Sequence, residues 1–99
     1  MIYIYIYMEK IEKKFNKLCK MNSDINQHLP TLHMYASECE SIIELGVRRV
    51  MSTYAFVYGL LSNNSSNKRI LLNDINSCNI DEILELTRNL KIDIKYKWI

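Results

Sequence analysis

The sequence predicts an α/β domain in which a three-stranded parallel sheet is preceded by two helices. Three observations lead there. From Ser41 onward, short apolar runs alternate with stretches of helical period: SIIEL, STYAFVYGLLSN, RILLND, IDEILELTRNL and IDIKYKWI. The helical stretches are long enough to be crossovers, which parallel strands require and hairpins do not. Before Ser41, two further stretches place apolar residues at steps of three and four, the amphipathic helical period. Finally, 99 residues with 48% hydrophobic content support one modest core rather than two.

Residues 1–22 read as an apolar leader followed by an amphipathic helix. MIYIYIYM is far shorter than the roughly 20 residues of a membrane span. EKIEKKFNK follows it directly, where a signal peptide would place small residues and a cleavage site. Its Tyr/Ile alternation has high strand propensity, so it is expected to be either an added edge strand or a poorly ordered segment. From Met8 to Met21 the apolar face is Met8, Ile11, Phe15 and Leu18, with Lys10, Lys13, Lys14, Lys17 and Lys20 elsewhere. Glu9 and Glu12 are mixed among these lysines, the pattern of a solvated face.

Asn22, Ser23 and Asp24 break the period, and a domain over 23–99 begins. Pro30 suits a first helical turn, because its missing amide would have no partner there; Leu32, Tyr35, Ala36 and Cys39 follow at helical spacing, predicting a helix over about 29–39. His28 and His33 stand five apart, not the four that sets two metal ligands on one helical face. Strands over 41–45 and 69–74 and a final one within 92–99 alternate with helices from Ser52 and Asp81. Right-handed crossovers put both of those helices on one face of the sheet. SNNSSNK is a polar surface loop on the side away from the ligand edge.

Composition narrows the partners. Thirteen basic against eleven acidic residues leave a net charge of +2, too weak a field to argue for nucleic acid. Three widely spaced cysteines, Cys19, Cys39 and Cys78, form neither a disulfide framework nor a zinc motif. A reducing, cytoplasmic setting is expected.

In open α/β sheets, ligands bind outside the carboxyl ends of the strands. The residues that follow the first two apolar runs are therefore the candidate site. Glu44, Gly46 and Arg48 come after the first run and Asp74 after the second. Gly46 allows a sharp turn and close backbone approach. Ser52 or Thr53 is expected to cap the next helix, whose free amides attract a polar or anionic group. Asp74 is placed to accept hydrogen bonds from ribose hydroxyls. Such a set suits an adenosine-type cofactor. Arg48 and Arg49 are expected to be solvated or paired with Glu40 or Glu44.

The run SDINQHLPTLHMYASECESIIELGVRRVMSTYAFVYGLL, with LLNDIN, IDEILEL and KIDIKYKWI after it, resembles the N-terminal half of a family of class I S-adenosylmethionine-dependent methyltransferase-like proteins of bacteria and large DNA viruses. The resemblance covers about residues 23–99. It implies a partial Rossmann-like, three-layer sandwich and S-adenosylmethionine as cofactor. Glu44, Gly46, Val47 and Arg48 match the first cofactor motif, Ser52 and Thr53 the start of its helix, and Asp74 the ribose-holding acid. Where many class I enzymes carry glycines at alternate positions this chain has Arg48 and Val50; Arg48 matches its own subfamily, whereas Arg49 stands where a smaller residue is common. Side chains there are expected to crowd the methionine moiety. The resemblance further implies a protein truncated before the substrate and catalytic half, in the host cytoplasm if viral. It leaves the first strand with a bare edge open to self-association or a complementing chain. The alternative is a gene fragment or interaction scaffold with no small-molecule ligand.

Overall fold

The computed structural model describes residues 2–99. Four α-helices, α1 (Ile2–Lys20), α2 (Leu29–Ala36), α3 (Met51–Ser62) and α4 (Asp81–Thr87), accompany three strands, β1 (Ser41–Leu45), β2 (Arg69–Asp74) and β3 (Asp93–Trp98). The strands lie in the order β1-β2-β3, all parallel, with Ser41 opposite Arg69 and Arg69 opposite Asp93. The α/β class and the three-stranded parallel sheet expected from the alternating periods are therefore present.

The leader is neither a strand nor a separate segment. It is the first half of α1, continuous with the amphipathic helix; Met1 lies outside the described residues. Strand propensity lost because Ile11, Phe15 and Leu18 anchor the helix in the core and an anchored helix extends at one hydrogen bond per added residue. A strand would gain its hydrogen bonds only by leaving the helix to reach a sheet edge. Ile4, Tyr5 and Ile6 remain exposed at its end.

Between α1 and α2 the turn is built by side chains. Ser23 Oγ accepts the amides of Ile25 (3.3 Å) and Asn26 (3.0 Å), and Asn26 Nδ2 donates to the Cys19 carbonyl at 3.1 Å. Pro30 sits in the first turn of α2. The core is one cluster in which Phe15, Leu18 and Leu29 meet Val57 and Leu60 of α3, Ile70 and Leu72 of β2, and Ile83 of α4. Each such side chain, fully buried, contributes about 1.5–3 kcal/mol.

The helices lie on one side only. Ile70 and Leu72 are buried, whereas Ile43, Leu45 and Leu71 on the opposite face are exposed, Leu45 by 77%. Two layers thus replace the expected three-layer sandwich. Both crossovers run in the same direction along the sheet, so right-handedness delivers α3 and α4 to the same face. A third layer would need strands wound from the other side of β1. No helix among the described residues is long and apolar enough to cross a membrane.

Candidate functional site

The site forms where β1 and β2 end side by side. The Gly46 amide donates to the Asn73 carbonyl at 2.8 Å, extending the ladder one residue past β1. The chain then turns through 46–50 with a left-handed backbone at alternate positions: Gly46 (φ +83°), Arg48 (φ 54°) and Val50 (φ 66°). A β-branched residue in this region is unusual, and such strain gathers at functional turns.

Asp74 holds the turn from behind. One carboxylate oxygen accepts the Arg48 amide at 2.9 Å and the other accepts the Asn76 amide at 3.0 Å. These backbone donors, Arg48 first, hold its pKa down at about 2. The carboxylate therefore already serves the protein's own backbone.

Glu44 plays a matching part under the helix. Its side chain points to the helical face of the sheet and accepts the Thr53 hydroxyl at 2.6 Å and the Ser52 hydroxyl. Both Glu44 and Thr53 are buried. Burial raises the Glu44 pKa, against the lowering effect of the two hydroxyls. Ser52 and Thr53 do not cap α3: the cap residue is Val50, without a side-chain hydrogen bond. The capping expectation fails because the helix begins one residue earlier and Glu44 competes for both hydroxyls.

In front of the turn lies a cleft of about 310 Å³, at the small end of ligand sites. One wall is Asp24, Ile25 and His28; the other is Gly46, Val47, Arg48, Arg49, Met51 and Ser52. Asp24 and Arg48 join the walls through an ion pair at 3.1 Å. Arg48 therefore pairs with Asp24, not with Glu40 or Glu44, because its left-handed backbone turns it toward the 21–28 segment. The Arg48 guanidinium also keeps the Asp24 carboxyl below its ordinary pKa.

Of the residues expected from sequence, Gly46, Val47, Arg48 and Ser52 line the cleft. Glu44, Thr53 and Asp74 stand behind it. Val47 offers backbone while its side chain belongs to the core, and Val50 is likewise buried in the core rather than turned into the cleft. Of Arg48 and Val50, only Arg48 thus reaches the space where crowding was expected. The opposite wall was missed. Asp24 reads in sequence only as part of a break in the helical period and His28 only as one of two histidines five apart, and no spacing rule ties this segment to a turn some 20 residues later. Among the described residues no cluster of three or more His, Cys, Asp or Glu could hold a metal ion.

Gly46 tests the turn. A Cβ there would meet nothing within 4 Å, so Gly46→Ala is expected to cost about 1–2 kcal/mol from the left-handed backbone alone. Chemical denaturation reads this directly; an unchanged midpoint would contradict the φ assignment.

Acid tests the Asp74 clamp. Its folded pKa lies below the unfolded value of about 3.9, so its stabilising contribution is complete above that pH and lost as pH falls toward 2. Glu44 works in the opposite sense: its raised pKa favours the folded state as it protonates. The Arg48 amide is expected to lose protection from hydrogen exchange between about pH 4 and pH 2, and Asp74→Asn to flatten that change.

Comparison with family models, with curated proteins and with solved structures finds no match to this chain.

Proposed function

We propose that this chain binds an adenosyl cofactor, S-adenosylmethionine, in the cleft before the 46–50 turn, as a class I methyltransferase-like cofactor domain. The observation that carries the reading is the left-handed backbone at 46, 48 and 50. The chain keeps a glycine-type turn at the carboxyl end of a parallel sheet even where the glycines are gone, at a cost of about 1–3 kcal/mol per strained residue. That cost is understandable if the turn must bring its backbone close to a ligand. A Cβ at Gly46 would project into open space, which fits a position kept clear.

In this reading Gly46 and Val47 present backbone to the ligand, Ser52 stands at the start of α3, and Arg48 with Asp24 closes the cleft. Glu44, Thr53 and Asp74 position the turn. When bound, the cofactor supplies an electrophilic methyl group. The proposal stops at binding, and the methyl acceptor would be held by strands paired to the free edge of β1.

Calorimetric titration with S-adenosylmethionine or its demethylated product is expected to give heat that Asp74→Ala weakens about tenfold, through loss of one charge-assisted hydrogen bond to the turn. Absence of heat at millimolar ligand would remove the reading.

The bare sheet face supports a second reading, an interaction scaffold. Exposed Ile43, Leu45 and Leu71 beside the unpaired edge of β1 are what a second copy or a complementing chain would cover. Sedimentation velocity is expected to show self-association that Ile43→Lys with Leu45→Lys abolishes. A concentration-independent monomer would count against it.

A further inference from the structure

The outward face of α1 carries a feature that the cleft does not use. Ile6, Lys10, Lys13, Lys17 and Lys20 step by four, three, four and three, so they form one stripe along the helix. All five are exposed, while Ile11, Phe15 and Leu18 fill the opposite, buried face. Glu12, interspersed with these lysines in sequence, leaves the stripe in the fold: it lies toward the core margin, accepting the Tyr58 hydroxyl at 2.5 Å. Glu9 flanks the stripe, 3.5 Å from Lys13. Among the described residues Lys10, Lys17 and Lys20 make no ion pair. Beside the stripe, Lys10, Lys13, Lys14 and Lys17 rim a groove of about 290 Å³ that α4 closes with Glu82 and Leu86.

The same helix ends in apolar side chains that the core leaves out. Tyr5 is 73% exposed, with Ile4 and Ile6 about 40% exposed. A row of ammonium groups continued by an aliphatic and aromatic tip is the chemistry of a helix lying in a lipid interface. The lysines meet headgroup phosphates and the tip enters the acyl boundary. Either signal alone is weak, and stable docking takes both. Nucleic acid would use the lysines but has no call for Ile6. The stripe also contains no arginine, the side chain best matched to bidentate phosphate contacts.

We propose that the outward face of α1 docks this protein on an anionic phospholipid surface, with Lys10, Lys13, Lys17 and Lys20 toward the headgroups and Ile6, the residue of the apolar tip that shares their stripe, inserted. This stands apart from cofactor binding, since none of these residues lines the cleft.

The test is co-sedimentation of the full chain with vesicles of phosphatidylcholine containing about one-third phosphatidylserine, against phosphatidylcholine alone. Partition into the anionic vesicles only is expected, falling as salt is raised from about 0.1 M to 0.5 M. Lys10→Gln, Lys13→Gln and Lys17→Gln together are expected to lower it about a hundredfold, at roughly fivefold per lysine. Ile6→Ser is expected to lower it about tenfold. These side chains lie outside the core, and an unchanged cooperative melt verifies that each variant is folded. Failure of the parent chain to partition into anionic vesicles overturns the proposal, as does equal partition into neutral ones. Tight binding to duplex DNA that Ile6→Ser leaves intact, without vesicle binding, would reassign the stripe to nucleic acid and equally overturn it.

Discussion

Gly59→Ala is expected to destabilise the fold by about 2–3 kcal/mol, against the roughly 1 kcal/mol gain that helix propensity alone would give. A Cβ at Gly59 would stand 2.4 Å from the Ala36 Cβ, 2.6 Å from the His33 carbonyl oxygen and 3.0 Å from the Ser37 amide nitrogen. Two of those three are backbone atoms, so no rotamer change relieves them. α2 would have to move away from α3, disturbing the stack of His33 on Tyr58 (4.4 Å between centroids) and the contact of both with Phe15. Ala36→Gly in the same chain is expected to restore only part of the loss, because the His33 carbonyl stays in place. Thermal melts should show a fall of about 10 °C or more for Gly59→Ala, and a rise would mean that the two helices are not this close. The chain's two glycines thus serve different ends: Gly59 is required by packing, Gly46 by backbone conformation.

Glu44→Ala is expected to cost about 2 kcal/mol and to loosen the 46–50 turn at the same time. Its removal leaves the fully buried Thr53 hydroxyl without its acceptor, a penalty of about 1–3 kcal/mol, and opens a small cavity under α3. Relief of the burial penalty on the carboxylate, visible in its raised pKa, offsets part of this. Glu44→Gln, which keeps the shape and one acceptor oxygen, is expected to retain most of the stability. Equal melts for parent, Gln and Ala variants would contradict the role assigned to Glu44. So would a Gln variant weaker than Ala.

Much of the sheet was legible because strand and crossover periods differ so plainly after residue 40. SIIEL and RILLND are the observed β1 and β2, and DEILELT, the helix expected from Asp81, is the observed α4. The leader was misread for a physical reason: alternation of Ile and Tyr reports strand propensity, but continuity with an anchored helix decided the outcome. The third layer was an implication of the resemblance alone; right-handed crossovers by themselves place α3 and α4 on one face of the sheet. At the site, spacing found Glu44, Gly46 and Asp74 but not their division of labour. Nothing in E-x-G or N-D says that both carboxylates face the protein's own donors. The Asp24–Arg48 pair likewise depends on a left-handed backbone at Arg48, which no residue preference for arginine would suggest.

The central claim, that the turn at 46–50 is a ligand-facing backbone loop, is tested most directly by amide chemical-shift mapping during titration with S-adenosylmethionine. Saturable shifts are expected at Gly46, Val47, Arg48 and Arg49 and across the cleft at Ile25 and His28, with the α1 lysines unmoved. Saturable shifts confined to other parts of the fold, or none at millimolar ligand, would contradict it.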